Sequence, residues 1–137
     1  MNTKQVIVMR KDLKMRKGKM VAQGAHASMA VFFNKFREFT WGLYKGIPRS
    51  IATGVSLDTN DPVIDWCANS FTKICVYVNS EEELLEVFEK AKQAELPCAL
   101  IRDSGKTEFK EPTYTCCAIG PWYGEKIDHI TKGLKLL

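Results

Sequence analysis

No apolar run in the sequence approaches the ~18 residues that a membrane-crossing helix needs. The first strand-like run begins about four residues from the start, which leaves no room for a secretory leader. Cysteine is sparse: Cys67, Cys75, Cys98, Cys116 and Cys117 make an odd count of five with no CxxC spacing. Most of them lie inside apolar, strand-like runs, so they read as buried thiols in a reducing cytoplasm and not as a disulfide framework. The two histidines, His26 and His129, stand far apart and outside any ligand-spaced pair, so no metal site is expected, and His129 reads as a surface residue. Nucleotide and hydrolase signatures are missing too. There is no GxGxxG and no GxSxG, which leaves a dinucleotide fold and a serine-hydrolase elbow unsupported. Gly105-Lys106-Thr107 imitates the end of a phosphate-binding P-loop, but the glycine required five positions earlier is Leu100.

What is present is an ordinary globular composition, 45% hydrophobic and 26% charged over 137 residues. That length predicts one domain able to bury roughly two-thirds of its unfolded surface. Charge is distributed unevenly. From Arg10 to Ser28 six basic residues (Arg10, Lys11, Lys14, Arg16, Lys17, Lys19) face one acid, Asp12, for a net +5. The whole chain is +4, so the remaining residues sum to −1. A basic patch concentrated in this way is the electrostatic footprint of a polyanion, with nucleic acid the first candidate.

Along the chain, Val6-Ile7-Val8-Met9 predicts a buried central strand. The basic loop follows, then a helix from about Gly18 to Asn34. Its apolar residues Val21, Ala25, Met29 and Phe32 recur at steps of three or four, which predicts a core-facing stripe. Lys19, Gln23 and His26 fall at i, i+4 and i+7, so three polar side chains share another face. Lys19 sits in the first turn, against the helix dipole, a placement that suits an anion docked at that end. Phe36, Phe39, Trp41 and Tyr44 suggest that the helix continues or that a second one packs nearby, and a loop is expected from about Gly42 to Asn60. Asp61-Pro62 predicts an N-cap and N1 proline opening a short helix.

Ile74 to Val78 reads as a second strand, Ser80 with Glu83 as a capping box, and Leu84, Phe88 and Ala91 as the buried face of the next helix. Cys98 to Arg102 is a third strand, making a βαβ unit with parallel strands. A polar turn, Asp103-Ser104-Gly105-Lys106-Thr107, lies just past its carboxyl end, with Ser104 as a turn former. A fourth strand, Tyr114 to Ile119, leads to Gly120-Pro121 and places Cys116 and Cys117 on opposite sheet faces. The last helix, about Tyr123 to Lys132, buries Ile127 and Ile130 and closes at Gly133, and the tail Leu134 to Leu137 docks back. Ligands in open α/β sheets bind off the carboxyl ends of strands. If the first and third strands lie close, Lys19, Gln23 and His26 face Asp103 and Thr107 across a crevice.

Those residues carry a resemblance. Asp12-Leu13-Lys14-Met15-x-Lys17-Gly18-Lys19-x-x-Ala22-Gln23-x-x-His26-Ala27 resembles the N-terminal signature of the archaeal/eukaryotic-type (class II) peptidyl-tRNA hydrolases. Asp103-Ser104-Gly105-Lys106-Thr107 resembles that family's D-A-G-[KR]-T turn, and Ile119-Gly120-Pro121 and Leu134-Lys135-Leu136 match its later motifs in order. The resemblance spans nearly the whole chain, most weakly at 42–60. It implies a three-layer α/β sandwich with a mixed four-stranded sheet between helices, no metal or organic cofactor, and a cytoplasmic homodimer. It implies hydrolysis of the ester between a peptide and the 3′-terminal ribose of tRNA. By position it puts catalytic roles on Lys19, Gln23, His26, Asp103 and Thr107, with His26 either a general acid/base or a binder of the 3′-terminal nucleotide. Lys14, Arg16, Lys17 and Lys106 would hold tRNA phosphates.

Departures from the family pattern are Arg16 for glycine, Glu108 for glutamine, Glu111-Pro112-Thr113 for P-G-[ST], and Ala118 for glycine. The changes at 108 and 111–113 keep two alternatives in view: a non-catalytic RNA- or protein-binding adaptor on the same scaffold, and an esterase acting on another charged tRNA.

Overall fold

The structure is a computed structural model that describes residues 2–46 and 61–137, with the backbone alone over 35–44. Four strands, β1 (Thr3–Arg10), β2 (Lys73–Val78), β3 (Cys98–Asp103) and β4 (Thr113–Tyr123), form one sheet in the order β2-β1-β4-β3. β2 runs parallel to β1, and β4 is antiparallel to both β1 and β3, so the sheet is mixed. The helices are α1 (Lys17–Tyr44), α2 (Pro62–Asp65), α3 (Glu81–Gln93) and α4 (Gly124–Thr131). One wider turn, Trp66–Ser70, extends α2.

Strand alternation divides the core. Val6, Val8, Val76, Val78, Cys117 and Ile119 point to one face, where α3 supplies Leu84, Val87 and Ala91 and α4 supplies Ile127. Ile7, Met9, Cys116 and Ala118 point to the other, under Ala27 of α1. The result is an α/β sandwich with helices on both faces of a mixed four-stranded sheet. β2 and β3 share a direction through the α3 crossover, although β1 and β4 lie between them. β4 also separates β1 from β3, so the first and third strands are one position apart and α1 bridges the gap.

Local signals act as their chemistry requires. Asp61 accepts from the Val63 N–H at 2.8 Å with Pro62 at N1. Ser80 accepts from the Glu83 N–H at 3.1 Å, while the Glu83 carboxylate reaches back to the N–H of Asn79, one residue before the cap. Gly133, at φ +93°, follows the C-cap Lys132. The tail docks on the free edge of β2, where Leu137 N–H donates to the Cys75 carbonyl and Tyr77 N–H to that of Lys135.

Four expectations need correction. The buried face of α1 is not Val21, Ala25, Met29 and Phe32; Val21 is 72% exposed and Met29 58%. The inward positions are Gln23, Gly24, Ala27 and Ala30, because the helix lies close to the sheet and small residues permit that approach. A Cβ at Gly24 would already stand 3.8 Å from the Met9 Cε. Secondly, α1 runs on to Tyr44, so residues 42–44 are helical; the loop expected over 47–60 lies outside the described residues. Thirdly, β4 continues through the cis Gly120–Pro121 bond to Tyr123, where Thr3 and Lys4 still pair with it. Lastly, only Cys116 and Cys117 are fully buried; Cys67 and Cys75 are exposed, since Cys67 is helical and β2 is an edge strand. Burial pushes the Cys116 thiol up to about 12 and Cys117 higher still.

Candidate active site

The start of α1 is carried across β4 toward the end of β3. Its anchors are polar as well as apolar. Gln5, wholly buried in β1, accepts from the Ser28 hydroxyl at 2.6 Å, and the Cys116 thiol donates to the Gln23 carbonyl at 3.3 Å. With α1 fixed in this way, its polar stripe faces the turn after β3.

There Lys19 Nζ donates to Asp103 Oδ1 at 2.6 Å and to the Thr107 hydroxyl at 2.5 Å. Gln23 Nε2 donates to the same Oδ1 at 3.2 Å. The other carboxylate oxygen, Oδ2, accepts from the Gly105 N–H at 2.9 Å. Three hydrogen bonds thus reach the Asp103 carboxylate, leaving an acceptor site on Oδ2, and its carboxyl is held below the ordinary carboxylate value by the Lys19 hydrogen bond first, then by the Gly105 N–H, the lysine charge and Gln23, against desolvation. Such a carboxylate is permanently ionised at neutral pH and is correspondingly a weak base. The Thr107 oxygen accepts from Lys19, which leaves its own proton free to donate.

Gln23 acts one step further back. It is 2% exposed, and its Oε1 accepts from the Thr115 hydroxyl at 2.5 Å. Both ends of its amide are engaged, Nε2 on Asp103 and Oε1 on Thr115, which fixes the side chain against the carboxylate. Thr115 is a site residue that pattern reading passed over. Its signal is an inward-facing hydroxyl beside Cys116 and Cys117 in a buried strand. Phe109 is a second such residue; its ring lies 5.5 Å from Lys19 Nζ.

Beyond Asp103 lies a cleft of about 390 Å³ with Gln23, His26 and Asn34 on the α1 side and Leu100 to Ser104 on the other. His26 thus shares the cleft with Asp103 without any hydrogen bond to it. Lys14, Arg16, Lys17 and Lys106 are exposed around the opposite, N-terminal end of α1 and in the turn, and none forms an ion pair among the described residues. Ser104 is exposed at the cleft rim, and His129 is exposed on α4. Among the described residues no group of three or more His, Cys, Asp or Glu side chains is placed to hold a metal ion, and no helix is long and apolar enough to cross a membrane.

The model of the family described as peptidyl-tRNA hydrolase PTH2 matches residues 3–137. The chain belongs to this peptidyl-tRNA hydrolase family. Relatives bearing the name peptidyl-tRNA hydrolase include one from Methanocaldococcus jannaschii, 42% identical over 98% of this chain and 99% of its own. Another, from Methanopyrus kandleri, is 38% identical over 98% of this chain and 97% of its own. Among solved structures, a protein of unknown function from Agrobacterium tumefaciens strain C58 aligns over 100% of this chain and 98% of its own with a TM-score of 0.53. At 12% identity that likeness speaks to the fold alone. In this peptidyl-tRNA hydrolase family member the side chains of Arg16, Glu108 and 111–113, where it departs from the family pattern, take no part in the hydrogen bonds of the Lys19–Asp103–Thr107 triangle. Glu108 is exposed, and Glu111 supplies a carbonyl that accepts from the Thr113 hydroxyl at 2.9 Å.

Proposed function

We propose that residues 1–137 act as one domain that hydrolyses peptidyl-tRNA in the cytoplasm, freeing tRNA from peptides released prematurely in translation. Water attacks the acyl carbon, the bond from that carbon to the 3′-terminal ribose oxygen breaks, and the products are a peptide carboxylate and tRNA with its hydroxyl restored. The observation that carries this reading is the convergence of Lys19, Asp103 and Thr107 in a chain of this family.

Each group has a role suited to its state. The Lys19 ammonium stabilises the oxyanion that forms on the carbonyl oxygen. Asp103 holds the Lys19 ammonium in place and positions the attacking water, its weak basicity fitting positioning better than full proton abstraction. The free Thr107 proton donates to the water or the oxyanion, and Gln23 holds Asp103 in place. His26 lines the cleft as a proton donor to the leaving oxygen or as a contact to the terminal nucleotide. Lys14, Arg16, Lys17 and Lys106 hold phosphates, with affinity that falls as salt rises and little sequence preference.

The test is hydrolysis of N-acetyl-phenylalanyl-tRNA beside free phenylalanyl-tRNA, with Asp103→Ala as control. Cleavage of the blocked substrate is expected. Cleavage of neither would make the chain a non-catalytic adaptor, and preference for the unblocked one an esterase for other charged tRNAs.

The outward stripe of α1 supports a homodimer. Val21, Ala25 and Met29 line one apolar groove, Phe32, Phe33 and Phe71 a second, and the two meet at Ser28, Met29 and Lys73. Contiguous exposed apolar patches mark interaction sites, and a second copy packed on α1 would bury this one. Light scattering should give a dimer for the wild type and a monomer for Met29→Glu.

A further inference from the structure

β3 is an edge strand, paired with β4 alone among the described residues. Which of its main-chain groups remain open follows from the ladder. On the β2 side the Gln5 N–H donates to the Thr72 carbonyl, just before β2, and the Lys11 N–H to that of Val78, so the even-numbered residues of β1, including Val8, direct theirs to β4. Cys117, opposite Val8, therefore faces β1, and Leu100, opposite Cys117, faces outward. The same holds two residues on. The Tyr114 carbonyl accepts from Arg10 Nη1 on the β1 side, so Arg102, opposite Tyr114, also turns its main chain outward.

That open edge is one wall of the cleft. Leu100 to Ser104, five consecutive residues, line it, and α1 closes the other side with His26 and Asn34. The side chains of His26, Asn34 and Ser104 make no hydrogen bond among the described residues and line the cleft open to a ligand. The cleft is placed along the substrate. The basic residues gather at Lys14 to Lys17, the Lys19–Asp103 pair comes next, and Asn34 lies about 22 Å beyond Lys19 along the helix axis at about 1.5 Å per residue. A tRNA whose phosphates sit at the basic end and whose ester sits at Asp103 sends its peptide into this cleft.

We propose that the peptide moiety is bound as an added strand on the free edge of β3, parallel to it, with its C-terminal residue at Asp103 and its preceding residues alongside Leu100 to Arg102. The inference rests on the hydrolase reading above. Such binding would be indifferent to peptide sequence: main-chain N–H and C=O groups are common to all peptides, and strand addition reads only those. It also gives a limit of reach. The four positions from Leu100 to Asp103, about 3.3 Å apart, take about four substrate residues.

The experiment varies the substrate and leaves the protein intact. Wild-type enzyme is given tRNAs carrying acetyl-Phe, then acetylated chains lengthened one alanine at a time before the Phe. The longer chains are remade with one internal amide N-methylated, or with alanine exchanged for leucine or aspartate. The expected result is a kcat/KM that rises with length and levels off at about four residues. N-methylation should lower it about 3- to 10-fold, the worth of one main-chain hydrogen bond, while side-chain exchange moves it less than about threefold. Cleavage of acetyl-Phe-tRNA with no length dependence, or side-chain effects larger than those of N-methylation, overturns strand addition and leaves the hydrolase reading intact. Failure to cleave any member, acetyl-Phe-tRNA included, overturns both.

Discussion

Lys19 and Asp103 meet at 2.6 Å across 84 residues of sequence, with side chains only 11% and 10% exposed. The pair joins the first turn of α1 to the end of β3, and its electrostatics make one contribution to how the protein responds to acid. The Asp103 carboxyl titrates below its ordinary value of 3.8 because Lys19, Gly105 and Gln23 bond its charged form. A folded-state value below the unfolded one contributes stability that is complete above 3.8 and is lost as pH falls through the folded value. Asp103→Asn should therefore melt below the wild type by a constant margin from about pH 5 to 8, the margin closing in more acidic solution. Thermal scans across pH check this. By the same sign, an acid limb in kcat/KM within that range belongs to another group.

Thr115 is the support behind Gln23. Thr115→Val removes the hydrogen bond that the Thr115 hydroxyl donates to the buried Gln23 Oε1. An unsatisfied acceptor of this kind costs about 1–3 kcal/mol, measurable by urea denaturation. Activity should fall too, by less than for Asp103→Ala, because Asp103 keeps its bonds to Lys19 and Gly105.

Gly105 permits the turn that presents Asp103. Its φ is +80°, and a Cβ there would stand 2.6 Å from the Glu111 carbonyl carbon, a backbone atom that cannot swing aside. Gly105→Ala should destabilise the protein by about 1–3 kcal/mol and lower kcat more than KM, since the Gly105 N–H also holds Asp103. Steady-state kinetics with parallel melting curves separate the two effects.

The strand–helix–strand run from Lys73 to Asp103 was legible because periodicity and capping there agree: Leu84 and Ala91 face the core and Ser80 caps the helix. The site was legible for a different reason. Lys19, Gln23 and His26 share a helix face whatever the rest of α1 does. The buried face of α1 misled because hydrophobicity and burial part company there. Val21 and Met29 look outward while Gln23 and Gly24 look in. Distance to the sheet sets that choice, and distance is a tertiary property. Thr115 and the edge position of β3 were hidden for the same reason, since strand order depends on pairing between segments far apart in sequence.

The exposed basic residues make a prediction about salt. Each phosphate contact steepens the fall of log affinity with log salt by about 0.9. Lys14→Ala with Arg16→Ala should weaken tRNA binding and flatten that slope by about 2, measured by filter binding over a salt series. An unchanged slope would place the tRNA backbone elsewhere.

The most direct measurement of the account is a double-mutant cycle on kcat/KM for N-acetyl-phenylalanyl-tRNA, using Lys19→Ala, Asp103→Ala and the double variant. If the two residues form one catalytic unit, each single change lowers the rate about 10²-fold or more and the double is hardly worse than either. Independent, multiplying losses, or single variants that stay near the wild-type rate, would contradict it.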